Sequence, residues 1–93
     1  MRWFNPGEMR MTEEEQQSRM GYLASCKVEA EKAYDGMYEA HSFRDANDCY
    51  RDAKDYFYAA IGHAEDLGLT EEAEALRKRL EHVKAVFRSQ FAQ

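Results

Sequence analysis

The sequence predicts an all-α, up-down-up antiparallel three-helix bundle, with helices at about residues 12–40, 43–67 and 70–91. Apolar residues recur at alternating steps of three and four in each segment, which places them in one stripe on each helix. The breaks between the segments are short, and short connections make consecutive helices antiparallel neighbours. The middle segment is apolar on more than one side, as expected of a helix that packs against both others.

The 93 residues, of which 44% are hydrophobic, suffice for one domain and are too few for two. We therefore expect a single bundle domain at residues 12–93 and an N-terminal tail at residues 1–11. The tail holds Trp3 and Phe4 ahead of a turn predicted at residues 5–7. We expect these rings to anchor the tail on the domain's own core end, and contact with a second copy of the chain is the alternative.

Helix 1 is expected to begin at Thr12, because Thr12 and Glu15 form a capping box and three consecutive glutamates favour the positive end of the helix dipole. Its apolar series starts only in the third turn, so the first two turns are expected to be a polar overhang. The series consists of Leu23, Cys26, Ala30, Ala33, Met37 and Ala40.

Helix 2 is expected to be capped by Ser42, with Asp45 completing a reciprocal box, and to stop at Gly68, where glycine allows the left-handed conformation. Small alanines alternate with large rings along it, which favours close helix axes. Its stripe consists of Phe43, Ala46, Tyr50, Ala53, Phe57, Ala60, Ala64 and Leu67. Thr70 is the expected cap of helix 3, whose series consists of Ala73, Leu76, Leu80, Val83, Phe87 and Phe91.

No cofactor or metal site is predicted, and no catalytic residue. The three histidines, His41, His63 and His82, lack the Glu-x-x-His or i, i+4 spacing of helical metal sites. Four aspartates on helix 2 alternate with basic residues, which is typical of a solvated, ion-paired face. Cys26 and Cys49 are expected to be buried free thiols. We therefore expect a protein that is not an enzyme.

One alternative is catalytic. The segment from Arg77 to His82 is similar to the Arg-(x4–6)-His pattern of the HEPN family, helical domains that include ribonucleases. The polar residue that many members carry beside the arginine is absent, and the chain is short for that family. A HEPN-like ribonuclease is accordingly the lesser alternative.

Charge and hydropathy argue against binding to nucleic acid and against a membrane span. A net charge of −5 disfavours non-specific nucleic-acid binding, which needs clustered cations. No apolar run approaches the roughly 18 residues of a membrane span, and the first residues lack the apolar core of a signal peptide, so a cytoplasmic protein is expected.

The candidate partner-binding residues are Arg77, Lys84 and Arg88, which share one flank of helix 3 beside its apolar stripe. We call these three residues the basic flank. Helix 3 has a small positive net charge, whereas helices 1 and 2 are acidic. Two readings stay open: the basic flank pairs with the acidic helices of its own bundle, or it binds a partner.

The region from Tyr38 to Phe91 resembles the MIT (microtubule-interacting and transport) domain, a three-helix bundle related to tetratricopeptide repeats. The resemblance rests on the Phe-Arg-Asp-Ala opening of helix 2 and on its Tyr50, Ala53, Phe57, Ala60-Ile61 continuation. It implies a non-enzymatic protein–protein interaction module that binds an acidic amphipathic helix between helices 2 and 3, with the basic flank supplying the charge. A self-associating structural bundle, such as a homodimer, is the other alternative.

Overall fold

The computed structural model describes residues 11–91, and the expected aromatic anchor of the tail, Trp3 and Phe4, lies outside them. Helix α1 spans Glu13–Glu39, α2 spans Phe43–Asp66 and α3 spans Thr70–Val86. A π-helical turn, Phe87–Phe91, continues α3. The described chain contains no strand. The predicted all-α three-helix bundle is confirmed.

The N termini of α1 and α2 are fixed by local hydrogen bonds. The Glu15 N–H donates to the Thr12 hydroxyl at 3.1 Å, and the Thr12 N–H donates to the Glu15 carboxylate at 2.9 Å. This is the predicted capping box. At α2, the Asp45 N–H donates to the Ser42 hydroxyl at 3.1 Å, which satisfies one of the free donors at that helix end. Among the described residues the Asp45 carboxylate accepts no bond from the Ser42 N–H, so the predicted reciprocal box is only half formed.

The connection between α2 and α3 is a Schellman motif centred on Gly68, whose φ of 75° is the only positive φ among the described residues. The Gly68 N–H donates to the Glu65 carbonyl at 3.0 Å, and the Leu69 N–H donates to the Ala64 carbonyl at 2.8 Å. The Leu69 carbonyl then accepts the first bond of α3, from Ala73 at 2.9 Å. Leu69 therefore occupies the N-cap position of α3, where its side chain forms no hydrogen bond.

The predicted cap at Thr70 is wrong for this reason. The Leu69 N–H forms the last hydrogen bond of the Schellman motif and its carbonyl accepts the first hydrogen bond of α3. Thr70 is therefore already the first helical residue. Its side chain is exposed.

The core lies along the predicted stripes. On α1 the buried residues are spaced by seven, and α2 and α3 contribute the remainder. Ala30, Ala53, Ala60 and Ala64 have no exposed surface. The buried set consists of Leu23, Ala30, Met37, Ala46, Ala53, Phe57, Ala60, Ile61, Ala64, Ala73, Leu76, Leu80, Val83 and Phe87.

Phe43 is the main departure from the predicted stripe, because 59% of it is exposed. It is the first residue of α2, at the end of the bundle where α1 has already stopped. Its ring contacts only that end of the core, through Phe87 at 6.1 Å between ring centroids.

Candidate functional site

Two members of the basic flank reach across to α2. Arg77 forms a salt bridge with Glu65, and the Lys84 ammonium donates to the Tyr58 hydroxyl at 2.9 Å. Lys84 also lies over the Tyr58 ring, 5.3 Å from its centroid, and 3.5 Å from the Glu81 carboxylate. The hydrogen bond to Tyr58 raises the pKa of Lys84 above its usual value, so the ammonium stays charged.

Between these cations lies a groove, which we call the α2–α3 groove. It encloses about 300 Å³, at the lower limit of ligand pockets. Ile61 and Leu80, 8% and 3% exposed, form an apolar floor. Tyr58, Arg77 and Lys84 form its walls together with Glu81. The groove thus combines an apolar base with a mainly cationic rim.

Arg88 does not line the α2–α3 groove, although the helical spacing placed it on the same flank. It lies in the π-helical turn, where each residue advances by a smaller angle than in an α-helix. Arg88 therefore stays on the same side of the helix as Lys84, but it lies one turn farther along the axis, beyond the residues that line the groove. Its side chain is exposed.

The Arg77–His82 pair of the HEPN-like pattern does not converge. Arg77 binds Glu65 on α2, whereas the His82 ring packs edge-on against Tyr34 on α1, with 6.2 Å between ring centroids. An acid–base pair would need both groups within hydrogen-bond reach of one reacting atom. The geometry of α3 places them on different helix–helix interfaces.

The described residues hold no group of three His, Cys, Asp or Glu side chains able to bind a metal ion. Cys26 and Cys49 are free thiols and only half-buried, where full burial was expected. Partial burial raises the pKa of both thiols above the usual value, which makes the reactive thiolate scarcer. Between residues 11 and 91, no helix is long and apolar enough to cross a membrane.

Sequence reasoning did not assign Tyr58 to the groove. Tyr58 flanks the main α2 stripe, and its place beside Lys84 depends on the rotation of α3 against α2, which no spacing within one helix encodes. The sequence signal was an aromatic residue on the flank of the α2 stripe, and the 53% exposure of its ring is known only from the packed bundle.

A second region was also missed. Near the start of α1, Arg19 Nη1 lies 3.1 Å from His63 Nδ1 and donates to the Asp66 carboxylate at 2.9 Å. The Tyr22 ring stacks on His63, with 5.8 Å between centroids. These contacts join α1 to the last turn of α2.

No family model, curated protein or solved structure matches this chain. The similarity to the MIT domain stays a prediction, and the geometry described above carries the functional argument.

Proposed function

We propose that the protein is a non-enzymatic interaction module that binds an acidic amphipathic helix in the α2–α3 groove. The observation that carries the proposal is the combination of an apolar floor, Ile61 and Leu80, with the cations Arg77 and Lys84 at its rim. An amphipathic helix presents the complementary pair of surfaces, an apolar stripe flanked by carboxylates. The resemblance to the MIT domain supports the same kind of partner.

The intramolecular pairs of the rim do not oppose this binding. The side chains of Arg77 and Glu65 are 46% and 50% exposed, and exposed ion pairs contribute only about 0–1 kcal/mol. A carboxylate from a partner can therefore replace Glu65 or Glu81 at little cost. Burial of the partner's apolar side chains on the floor then supplies the affinity, at about 25 cal/mol per Å² of apolar surface.

The proposal is tested with designed amphipathic peptides that share one leucine stripe and carry either glutamate or lysine on its flanks. We expect the acidic peptide to bind weakly and in a salt-sensitive way, because rim charges are screened within about 8–10 Å at physiological salt. Titration followed by NMR should map the contacts to Ile61 and Leu80. Binding of both peptides with equal affinity would contradict the charge complementarity.

The matched variants are Lys84→Glu and Lys78→Glu, which make the same charge change on α3. Lys84 lines the groove, whereas Lys78 is exposed and does not. We expect Lys84→Glu to reduce the affinity for the acidic peptide severalfold, mainly by slowing association, and Lys78→Glu to reduce it less. Arg88→Glu should resemble Lys78→Glu. Equal losses for all three would show that only net charge matters.

Self-association is the second candidate, favoured by exposed aromatic rings at both ends of the bundle. Tyr22 and Tyr38 are 61% and 51% exposed, and Phe43 is 59% exposed. Such rings can cover one another between two copies. Sedimentation equilibrium at micromolar concentration distinguishes the candidates, because a monomer mass throughout that range excludes the homodimer.

A further inference from the structure

The start of α1 carries a trough that is separate from the α2–α3 groove. Helix α1 extends beyond the end of α2, so the face of α1 that packs on α2 further along the helix is exposed around Glu15. The result is an open trough of about 390 Å³, which we call the N-terminal trough. Tyr22, His63 and Arg19 line one end of it, and Glu14 and Glu15 line the end nearer the start of α1.

The trough has an aromatic end and an acidic end. Tyr22 stacks on His63. The lining carries two carboxylates, Glu14 and Glu15, against the single guanidinium of Arg19, which already binds His63 and Asp66, so negative charge is in excess. The Glu15 carboxylate also accepts the capping bond from the Thr12 N–H and keeps its charge. A ligand that suits it carries an aromatic group beside a cation. Residues 1–10 carry this combination in Arg2, Trp3 and Phe4, and their net charge is positive.

We propose that the N-terminal trough is the docking site of residues 1–10 of the same chain, with Trp3 and Phe4 against Tyr22 and His63. Chain length supports the choice. Trp3 precedes Thr12 by nine residues, which span at most about 30 Å. Tyr22 lies about 15 Å along α1 from Thr12, at 1.5 Å per residue. A turn at residues 5–7, which the Asn-Pro-Gly sequence predicts, would direct the chain back towards it.

The same arithmetic excludes the aromatic rings at the opposite end of the bundle. Tyr38 lies about 39 Å along α1 from Thr12, beyond the reach of Trp3. The α2–α3 groove is disfavoured by charge, because its rim carries Arg77 and Lys84, which repel a basic segment. Of these three aromatic sites, the N-terminal trough is the one that satisfies both the length and the charge criterion.

Trp3 is the only tryptophan in the sequence, so its fluorescence reports on docking in the full chain. We expect emission that is blue-shifted from that of N-acetyltryptophanamide and is protected from acrylamide quenching. Tyr22→Ala should shift the emission to the red by several nanometres and increase the quenching constant severalfold. Tyr22 is 61% exposed, so the substitution should leave the fold intact, which circular dichroism verifies.

Phe43→Ala is the matched control, because Phe43 is a similarly exposed ring at the end that Trp3 does not reach. It should leave the emission unchanged. Emission equal to that of the free model compound would overturn the proposal, and so would blue-shifted emission that Tyr22→Ala does not alter. A shift that disappears on dilution would assign the segment to a second copy instead, which also overturns docking within one chain.

Discussion

The α1–α2 and α1–α3 interfaces are built from different kinds of side chain. The α1 and α2 backbones approach closely along their length, whereas those of α1 and α3 hardly meet. The first interface includes residues without exposed surface, such as Ala30 and Ala53, and a glycine in α1, Gly36, that faces Cys49. Small residues allow this approach, since there is little side chain between the axes.

The α1–α3 interface is bridged by long polar and aromatic side chains. Lys27 pairs with Glu72 at 2.8 Å. The Arg79 Nε and Nη2 donate to the two carboxylate oxygens of Glu31, at 2.8 and 2.7 Å. The Arg79 guanidinium also lies over the Tyr34 ring, 4.9 Å from its centroid. The contrast indicates that close packing of small residues stabilises α1 against α2, while partly exposed charges orient α3.

The largest effect is expected from overfilling the packed stripe of α2. Ala60→Leu places three extra carbons at a position with no exposed surface, which should lower the free energy of unfolding by about 1–3 kcal/mol. Ala59→Leu makes the same change at the exposed neighbouring position and should stay within about 0.5 kcal/mol of the wild type. Urea denaturation compares the unfolding midpoints of the two variants, provided that their m values are equal. Equal midpoints would show that the stripe is rotated.

A smaller effect is expected where α1 meets α2 most closely. A Cβ at Gly36 would lie 3.0 Å from the Cys49 sulfur, whereas one at Gly21, also in α1, would contact nothing within 4 Å. Gly21→Ala should therefore stabilise the protein by about 0.5–1 kcal/mol through helix propensity. Gly36→Ala should gain less or lose stability, because the thiol must move.

The cause of that difference is tested by adding Cys49→Ala. Removing the sulfur should let Gly36→Ala recover the gain seen at Gly21, as measured by a double-mutant cycle in urea. A gain at Gly36 that does not depend on Cys49 would be inconsistent with a close approach of the two helices at this point.

The two interfaces also differ in how far the sequence predicts them. The heptad stripes and the cap at Thr12 follow from residues within seven positions of one another, so local spacing is enough. The Arg79–Glu31 pair of the α1–α3 interface joins residues 48 positions apart, and the Lys84–Tyr58 pair, between α2 and α3, joins residues 26 positions apart. Their partners depend on helix rotations that exist only in the packed bundle, which is why the sequence predicted Lys84 as a site residue but not its setting.

The smallest effect is expected at the α1–α3 interface. The side chains of Glu31 and Arg79 are 44% and 39% exposed, so Glu31→Gln should cost no more than about 1 kcal/mol at neutral pH and less in high salt. Glu29→Gln is the control, because Glu29 pairs only within α1, with Lys32 at 3.7 Å. Glu29→Gln should leave the free energy of unfolding nearly unchanged in the same thermal or urea denaturation.

The pH dependence of that loss identifies its cause. The hydrogen bonds from Arg79 hold the pKa of Glu31 below its usual value, so the folded protein releases this proton more readily than the unfolded chain. The stabilisation is fully present above the unfolded pKa, about 4.3, and is lost as the pH falls through the lower folded pKa. The difference between wild type and Glu31→Gln should therefore vanish in acid. A difference that persists there would mean that the introduced amide disturbs packing, and that the α1–α3 interface depends on shape as the α1–α2 interface does.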